Sequence, residues 1–150
     1  MALKMKKQLN ILKQGRIPTN SEVEVFEAKI GTLLPESYRN FLLRLNPIHL
    51  KECNYRNAGK IYEIHNFIPF KSGEWSLEQH FENLKEHFEN RFIAFAGDSG
   101  GWQYILSIEK NENYGKIYFC RMDEEIENAI TVIADSFEEF INGFYIENNF

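Results

Sequence analysis

Five residues, Gly97-Asp98-Ser99-Gly100-Gly101, lie between two apolar, aromatic-rich segments and constrain the fold more than any other stretch of the chain. Phe92-Ile93-Ala94-Phe95-Ala96 runs into them and Trp102-Gln103-Tyr104-Ile105-Leu106 runs out, the pattern of two paired strands joined by a tight connection. Gly100 and Gly101 can take left-handed backbone conformations, and Asp98 and Ser99 can bond nearby main-chain groups. A hairpin at this point commits the middle of the chain to a largely antiparallel sheet.

The flanking segments extend that reading. Met5, Leu9 and Leu12 fall at i, i+4 and i+7 and predict a short amphipathic helix ending near Gly15, within a basic N-terminal extension over residues 1–18. Thr19 followed by Glu22 forms a capping box for a helix with Val23, Phe26 and Ile30 on its apolar face and Gly31 at its C-terminal end. Pro35 opens a second helix whose buried face is Tyr38, Phe41, Leu42 and Leu45, closed by Asn46-Pro47. Residues 48–60 show no periodicity and read as a loop, and Lys60 to Ile68 has the composition of one or two strands. Ser76 with Gln79 caps a helix through Leu77, Phe81, Leu84 and Phe88 up to Asn90. Strands are expected near 92–96, 102–108, 115–121 and 129–134. A final helix starts at Asp135 or Ser136 and packs through Phe137, Phe140, Ile141 and Phe144. Helices, then hairpin-linked strands, then a closing helix describe an α+β fold. Its sheet is largely antiparallel, with about five or six strands, in one domain spanning 1–150.

A chain of 150 residues that is 43% hydrophobic and 15% aromatic can bury a sizeable core. No apolar run approaches the roughly 20 residues of a membrane span, and no secretion signal follows Met1. A cytoplasmic location is the expectation. Cys53 and Cys120 belong to no CxxC pair and read as reduced structural thiols. Charge is unevenly spread. Residues 1–20 carry five basic groups and no acid, which leaves 12 basic against 22 acidic groups in the other 130, a net of −10. Beyond Arg121 there is no Lys or Arg, while Asp123, Glu124, Glu125, Glu127, Asp135, Glu138, Glu139 and Glu147 supply eight negative charges. Such a field repels nucleic acid and attracts basic partners; the alternative is a solubilising surface.

The five central residues also spell the loop that carries the nucleophilic serine of trypsin-like proteases. A nucleophile at Ser99 needs a histidine base, a carboxylate behind it and the two β-barrels of that fold. A chain this rich in helices does not supply them, and none of His49, His65, His80 and His87 lies in a base motif. His80 and His87 are seven apart, two turns along one helical face, too far to share a metal as an i, i+4 pair does. No phosphate-binding glycine loop occurs, so no cofactor is expected. Glu124-Glu125 and Glu138-Glu139 could hold general acids or bases, but solvated carboxylates are the simpler account. Trp75, beside Gly73-Glu74, and Trp102, beside the glycine pair, are either exposed binding anchors or core residues.

Phe26-Glu27-Ala28-Lys29-Ile30-Gly31-Thr32-Leu33-Leu34-Pro35-Glu36-Ser37-Tyr38-Arg39-Asn40-Phe41-Leu42, the Gly97-to-Gly101 connection and Ile133-Ala134-Asp135-Ser136-Phe137-Glu138-Glu139-Phe140-Ile141 together resemble the SUKH superfamily, also called Smi/Knr-like, over about residues 20–146. One departure is that Asn46 is followed by Pro47-Ile48 where the family commonly has Asn-Gly-Gly. The resemblance implies an α+β domain of the bacterial toxin-immunity branch. Such a protein is a non-enzymatic antitoxin that neutralises a cognate toxin domain, often a basic nuclease, by stoichiometric binding. The acidic field and the lack of a long apolar run lead us to expect no direct nucleic-acid or membrane contact, and a weak homodimer is allowed. A regulatory interaction module linked to cell-wall signalling, as in fungal relatives, is the alternative, and a small serine hydrolase using Ser99 is a third. Glu74, Trp75, Asp98, Trp102, Asp123, Glu124 and Glu125 are the expected partner-binding residues.

Overall fold

Local capping signals and the pattern of core-facing side chains account for most of the architecture. The computed structural model describes residues 8–70 and 75–147. Part of the predicted first helix, residues 1–7, lies outside them. The rest of that segment is not helical: Ile11–Gln14 forms strand β1. Leu9 is buried and Ile11 packs against the core, a period of two, whereas Leu12 is 68% exposed. A long-range anchor fixes this strand. The backbone N–H and side-chain amide of Asn10 donate to the Glu52 carboxylate at 2.8 and 2.6 Å. Burial, the largest influence on that carboxyl, raises its pKa; the Asn10 bonds, the Glu52 backbone N–H and Lys51 together bring it below the usual range.

Helix α1 (Asn20–Ile30) has both halves of the Thr19–Glu22 capping box and ends at Gly31, whose φ of 82° is left-handed. Helix α2 (Glu36–Arg44) comes next, burying Tyr38, Phe41 and Leu42. At the Asn46-Pro47 departure, Asn46 itself takes φ 36°. Its amide donates to Arg16 O at 2.7 Å and accepts from Phe70 N–H at 2.9 Å, joining three segments at a buried corner.

The loop expected over 48–60 is largely strand. β2 (Pro47–Leu50) pairs antiparallel with β1, and β3 (Asn54–Asn57) pairs with β4 (Lys60–Glu63). Ala58 and Gly59 both have positive φ, as a two-residue hairpin turn matched to strand twist requires. The strands expected over Lys60 to Ile68 are present as β4 and the later strand at Asn66–Phe67, and of this hairpin only β3 was missed, because Tyr55 alone of its residues is buried. Tyr55 packs 4.8 Å from Phe140 and donates to Ile133 O; Tyr62 packs 5.2 Å from Phe119.

The main sheet has five antiparallel strands in chain order: β5 (Asn66–Phe67), β6 (Phe92–Gly97), β7 (Gln103–Ser107), β8 (Ile117–Cys120) and β9 (Ile130–Ala134). Helix α3 (Leu77–Leu84) is capped by Ser76 as expected but stops six residues short of Asn90. Glu89 and Asn90 take positive φ, and tight turns bring buried Phe88 onto Phe92. A short helix α4 (Ile126–Ala129), not foreseen, precedes β9. Helix α5 (Phe137–Asn142) closes the fold, with Ser136 Oγ accepting from Glu139 N–H at 3.0 Å. Phe95 stacks on Tyr38, Phe137 and Phe140, so α2 and α5 cover one face of the sheet. Phe92 meets Phe88 and Tyr118, which places the end of the α3 connection over the other. Among the described residues no helix is long and apolar enough to cross a membrane.

Candidate functional site

The Gly97–Gly101 connection is a turn held by Asp98. The Asp98 Oδ1 oxygen accepts from the backbone N–H of Gly100 and of Trp102, both at 2.9 Å, and Asp98 N–H donates to Trp102 O at 3.0 Å. Gly101 supplies the left-handed residue, φ 92°; Gly100, expected to share that role, is not in the left-handed region. Ser99 N–H donates to Glu63 Oε1 at 3.0 Å. Bonds from the Ser99 N–H and then its hydroxyl hold the Glu63 carboxyl below its usual range against burial, with His65 adding a smaller downward pull. Tyr104 OH donates to Glu63 O at 2.6 Å, fixing that strand end from below. The serine therefore faces a carboxylate rather than an imidazole. His65 offers the turn its backbone N–H, bonded to Gly97 O at 2.9 Å, while its ring lies 5.9 Å from His49. His80 Nδ1 is 3.0 Å from Ser76 O and His87 packs on Phe88. Among the described residues no histidine is hydrogen-bonded to Ser99. Ser99→Ala is therefore expected to lower stability by less than about 1 kcal/mol, the worth of one exposed hydrogen bond, and a urea titration measures it.

Trp102 is half-buried, its ring edge-on to Phe119 at 5.7 Å. It is neither fully core nor fully exposed, with one flank on the core and the rest reaching solvent. Trp75 is 40% exposed and stands edge-on to His80 at 6.1 Å. Glu74 lies outside the described residues. Burial pushes the Cys120 thiol up to about 11 against the opposing Arg121 charge, so it stays protonated and unreactive near neutral pH.

Asp123, Glu124 and Glu125 are all exposed and line an open groove with Glu86, His87, Glu89, Met122, Ile126 and Glu127. Sequence reasoning did not place Glu86 or Glu89 here. The signal was Phe88 between them: burying that ring turns its neighbours outward. Two arginines partly balance the groove. Arg121 pairs with Glu124 at 2.5 Å, and Arg91 Nη1 pairs with Glu89 at 3.0 Å and Glu127 at 3.1 Å. Glu86, Asp123 and Glu125 have no ion-pair partner among the described residues. Six carboxylates against two arginines leave a strongly negative, solvent-open concavity, suited to a cationic protein surface and unsuited to phosphate. Asp98, Trp102 and Trp75 do not line it, so the described binding candidates divide among this groove, the Asp98 turn and the start of α3.

The chain is similar to known proteins at the level of family. A model of the SMI1 / KNR4 family (SUKH-1) matches residues 17–143. The SPbeta prophage-derived uncharacterized protein YokK of Bacillus subtilis (strain 168) is 26% identical over 152 aligned positions, covering 85% of this chain and 76% of that relative.

Proposed function

We propose, from the premise that this chain belongs to the SMI1/KNR4 (SUKH-1) family, that it is an immunity protein which neutralises a cognate basic toxin domain by stoichiometric binding. The observation that carries the reading is the acidic groove between Glu86–Glu89 and Asp123–Glu127. A nuclease must present cations to phosphate, and a surface of aligned carboxylates occupies those positions and speeds encounter. Catalysis has no part in it. Similarity to a prophage-derived protein is in keeping with a mobile toxin–immunity pair.

Co-expression with the product of an adjacent toxin gene should restore growth, and the two chains should co-purify in a fixed ratio. A source genome with no such toxin, or a toxin left active by a saturating amount of this protein, would sink the reading. The groove itself is tested by kinetics. Glu124→Lys with Glu125→Lys is expected to slow association about tenfold or more at low salt, an effect that fades as salt screens it. Glu112→Lys, on the exposed β7–β8 turn and outside the groove lining, should change the on-rate much less. Equal effects from both would mean that overall charge, not the groove, steers the partner. Ser99→Ala should leave neutralisation intact.

A further inference from the structure

We infer that the outer edge of β9 is a strand-docking site whose occupant is an extended basic segment of the toxin domain, an inference that rests on the immunity reading above. β9 ends the five-stranded sheet and, among the described residues, pairs only with β8. The phase of the ladders decides which groups it leaves open. Ser107 N–H donates to Lys116 O and Arg121 N–H to Ala129 O, both at 3.0 Å. Antiparallel bonds alternate between neighbouring residues, so Tyr118 turns its main-chain groups to β7, while Phe119 and Thr131 turn theirs to each other. Val132, opposite Tyr118, therefore points both its N–H and its C=O away from the sheet, and Ile130 points its C=O the same way.

Natural edges are blunted by lysine, proline, a bulge or a covering segment. Residues Ile130 to Ala134 contain no charge and no proline. The extra residue of the β8–β9 register shift is Ile133, past Val132, and its carbonyl already accepts from the Tyr55 hydroxyl at 2.9 Å. Val132 is 46% exposed beside the half-buried Tyr118, a short apolar strip for one side chain of an added strand. Charge selects the occupant. Exposed Glu125 and Glu127 precede the strand, exposed Asp135 and Glu139 follow it, and no Lys or Arg occurs beyond Arg121. A second copy paired antiparallel through Val132 would set one acidic end against the other. A segment with an apolar residue opposite Val132 and Lys or Arg beyond it on either side meets opposite charge at both ends. Through Glu125 and Glu127 it continues into the acidic groove.

The test uses the full-length chain and the toxin domain encoded beside its gene. In NMR amide exchange, the Val132 N–H should exchange readily in the free protein and slow at least about tenfold in the saturated complex. The Thr131 N–H, bonded to β8, should be protected in both. Val132→Pro removes a donor that β8 does not use. It should keep cooperative urea unfolding yet weaken toxin binding about tenfold, because an acceptor of the added strand is left unpaired. Val132→Thr keeps the donor and the branched shape and should bind within about threefold of the parent. Equal losses from the two variants would overturn the site, as would protection of Val132 by self-association in concentrated, toxin-free protein. Where Val132→Pro does not fold, the exchange measurement on the parent decides. Tight binding with Val132 exchange unchanged removes the edge and leaves the immunity reading standing; a parent chain that binds no toxin removes both.

Discussion

Phe137→Ala is expected to lower the unfolding free energy by about 3–5 kcal/mol, a large share of the roughly 5–15 kcal/mol that holds a domain of this kind together. The ring is fully buried where α5 meets α2 and the sheet. Its centre lies 4.8 Å from Phe41, 5.0 Å from Tyr38 and 5.7 Å from Phe95. Two of those rings are themselves held, Phe41 by Phe67 and Phe95 by Phe140. A void left among them cannot close without disturbing several interlocked contacts, so the cavity persists and adds to the lost transfer free energy. Phe137→Leu fills most of that space and should cost appreciably less. Urea unfolding checks both, with the denaturant slope expected to stay constant. A loss below about 1 kcal/mol for the alanine variant would mean that this core collapses freely, contrary to the packing described.

Residues whose structural role depends on near neighbours were legible in the sequence. Thr19 with Glu22, Ser76 with Gln79 and Ser136 with Glu139 mark helix starts because an N-cap reaches only three residues along the chain, and all three are present. Strands β6, β7 and β8 were legible because nearly all their residues are buried, which leaves near-continuous apolar runs, and β9 because its β-branched Ile130-Thr131-Val132-Ile133 suits a strand although Thr131 and Val132 are exposed. What failed was decided at a distance. β1 exists because Asn10 meets Glu52, 42 residues away, and a narrow stripe of three apolar residues mimics a helix when that partner is not known. Strand β3 puts Tyr55 inside among Asn54, Arg56 and Asn57, so its run carries too few apolar positions to show a period. The acidic stretch at Asp123–Glu125 was evident as composition. Its conversion into a groove needed the turns after α3 to bring Glu86 and Glu89 to the same place; Phe88 marks locally that these two face outward, but not which residues they meet. The division of the binding candidates among that groove, the Asp98 turn and Trp75 at the start of α3 was equally invisible, because it depends on how distant segments are routed.

The family-like run from Phe26 to Leu42 has a physical meaning that leads to the second large effect. Glu27→Ala is expected to cost about 2–4 kcal/mol, although Glu27 lies on the first helix of a sheet-centred fold and touches no binding candidate. Its side chain is buried. One carboxylate oxygen accepts from Leu34 N–H at 2.8 Å and the other from Arg39 Nε at 3.3 Å. Its backbone oxygen accepts from both Gly31 and Thr32 N–H. One residue thus ties the end of α1, the left-handed turn at Gly31 and the start of α2, and Tyr114 OH adds a bond to Leu33 O from the β7–β8 turn. Alanine leaves the Leu34 N–H buried without its acceptor, a penalty of about 1–3 kcal/mol, and removes the partner of Arg39. Because the Arg39 side chain is 23% exposed, its guanidinium can turn toward water. That relief holds the total below the roughly 3–5 kcal/mol of a fully enclosed broken pair. Glu27→Gln keeps an acceptor for Leu34 but turns an amide donor or a neutral oxygen toward the guanidinium, so it should fall between the parent and alanine. In a double-mutant cycle, Glu27→Ala with Arg39→Ala should lose less than the sum of the single variants, since the two groups share one interaction. Additive losses would assign the effect of Glu27 to the Leu34 bond alone, and a Glu27→Ala protein within about 0.5 kcal/mol of the parent would remove this carboxylate from the determinants of the fold.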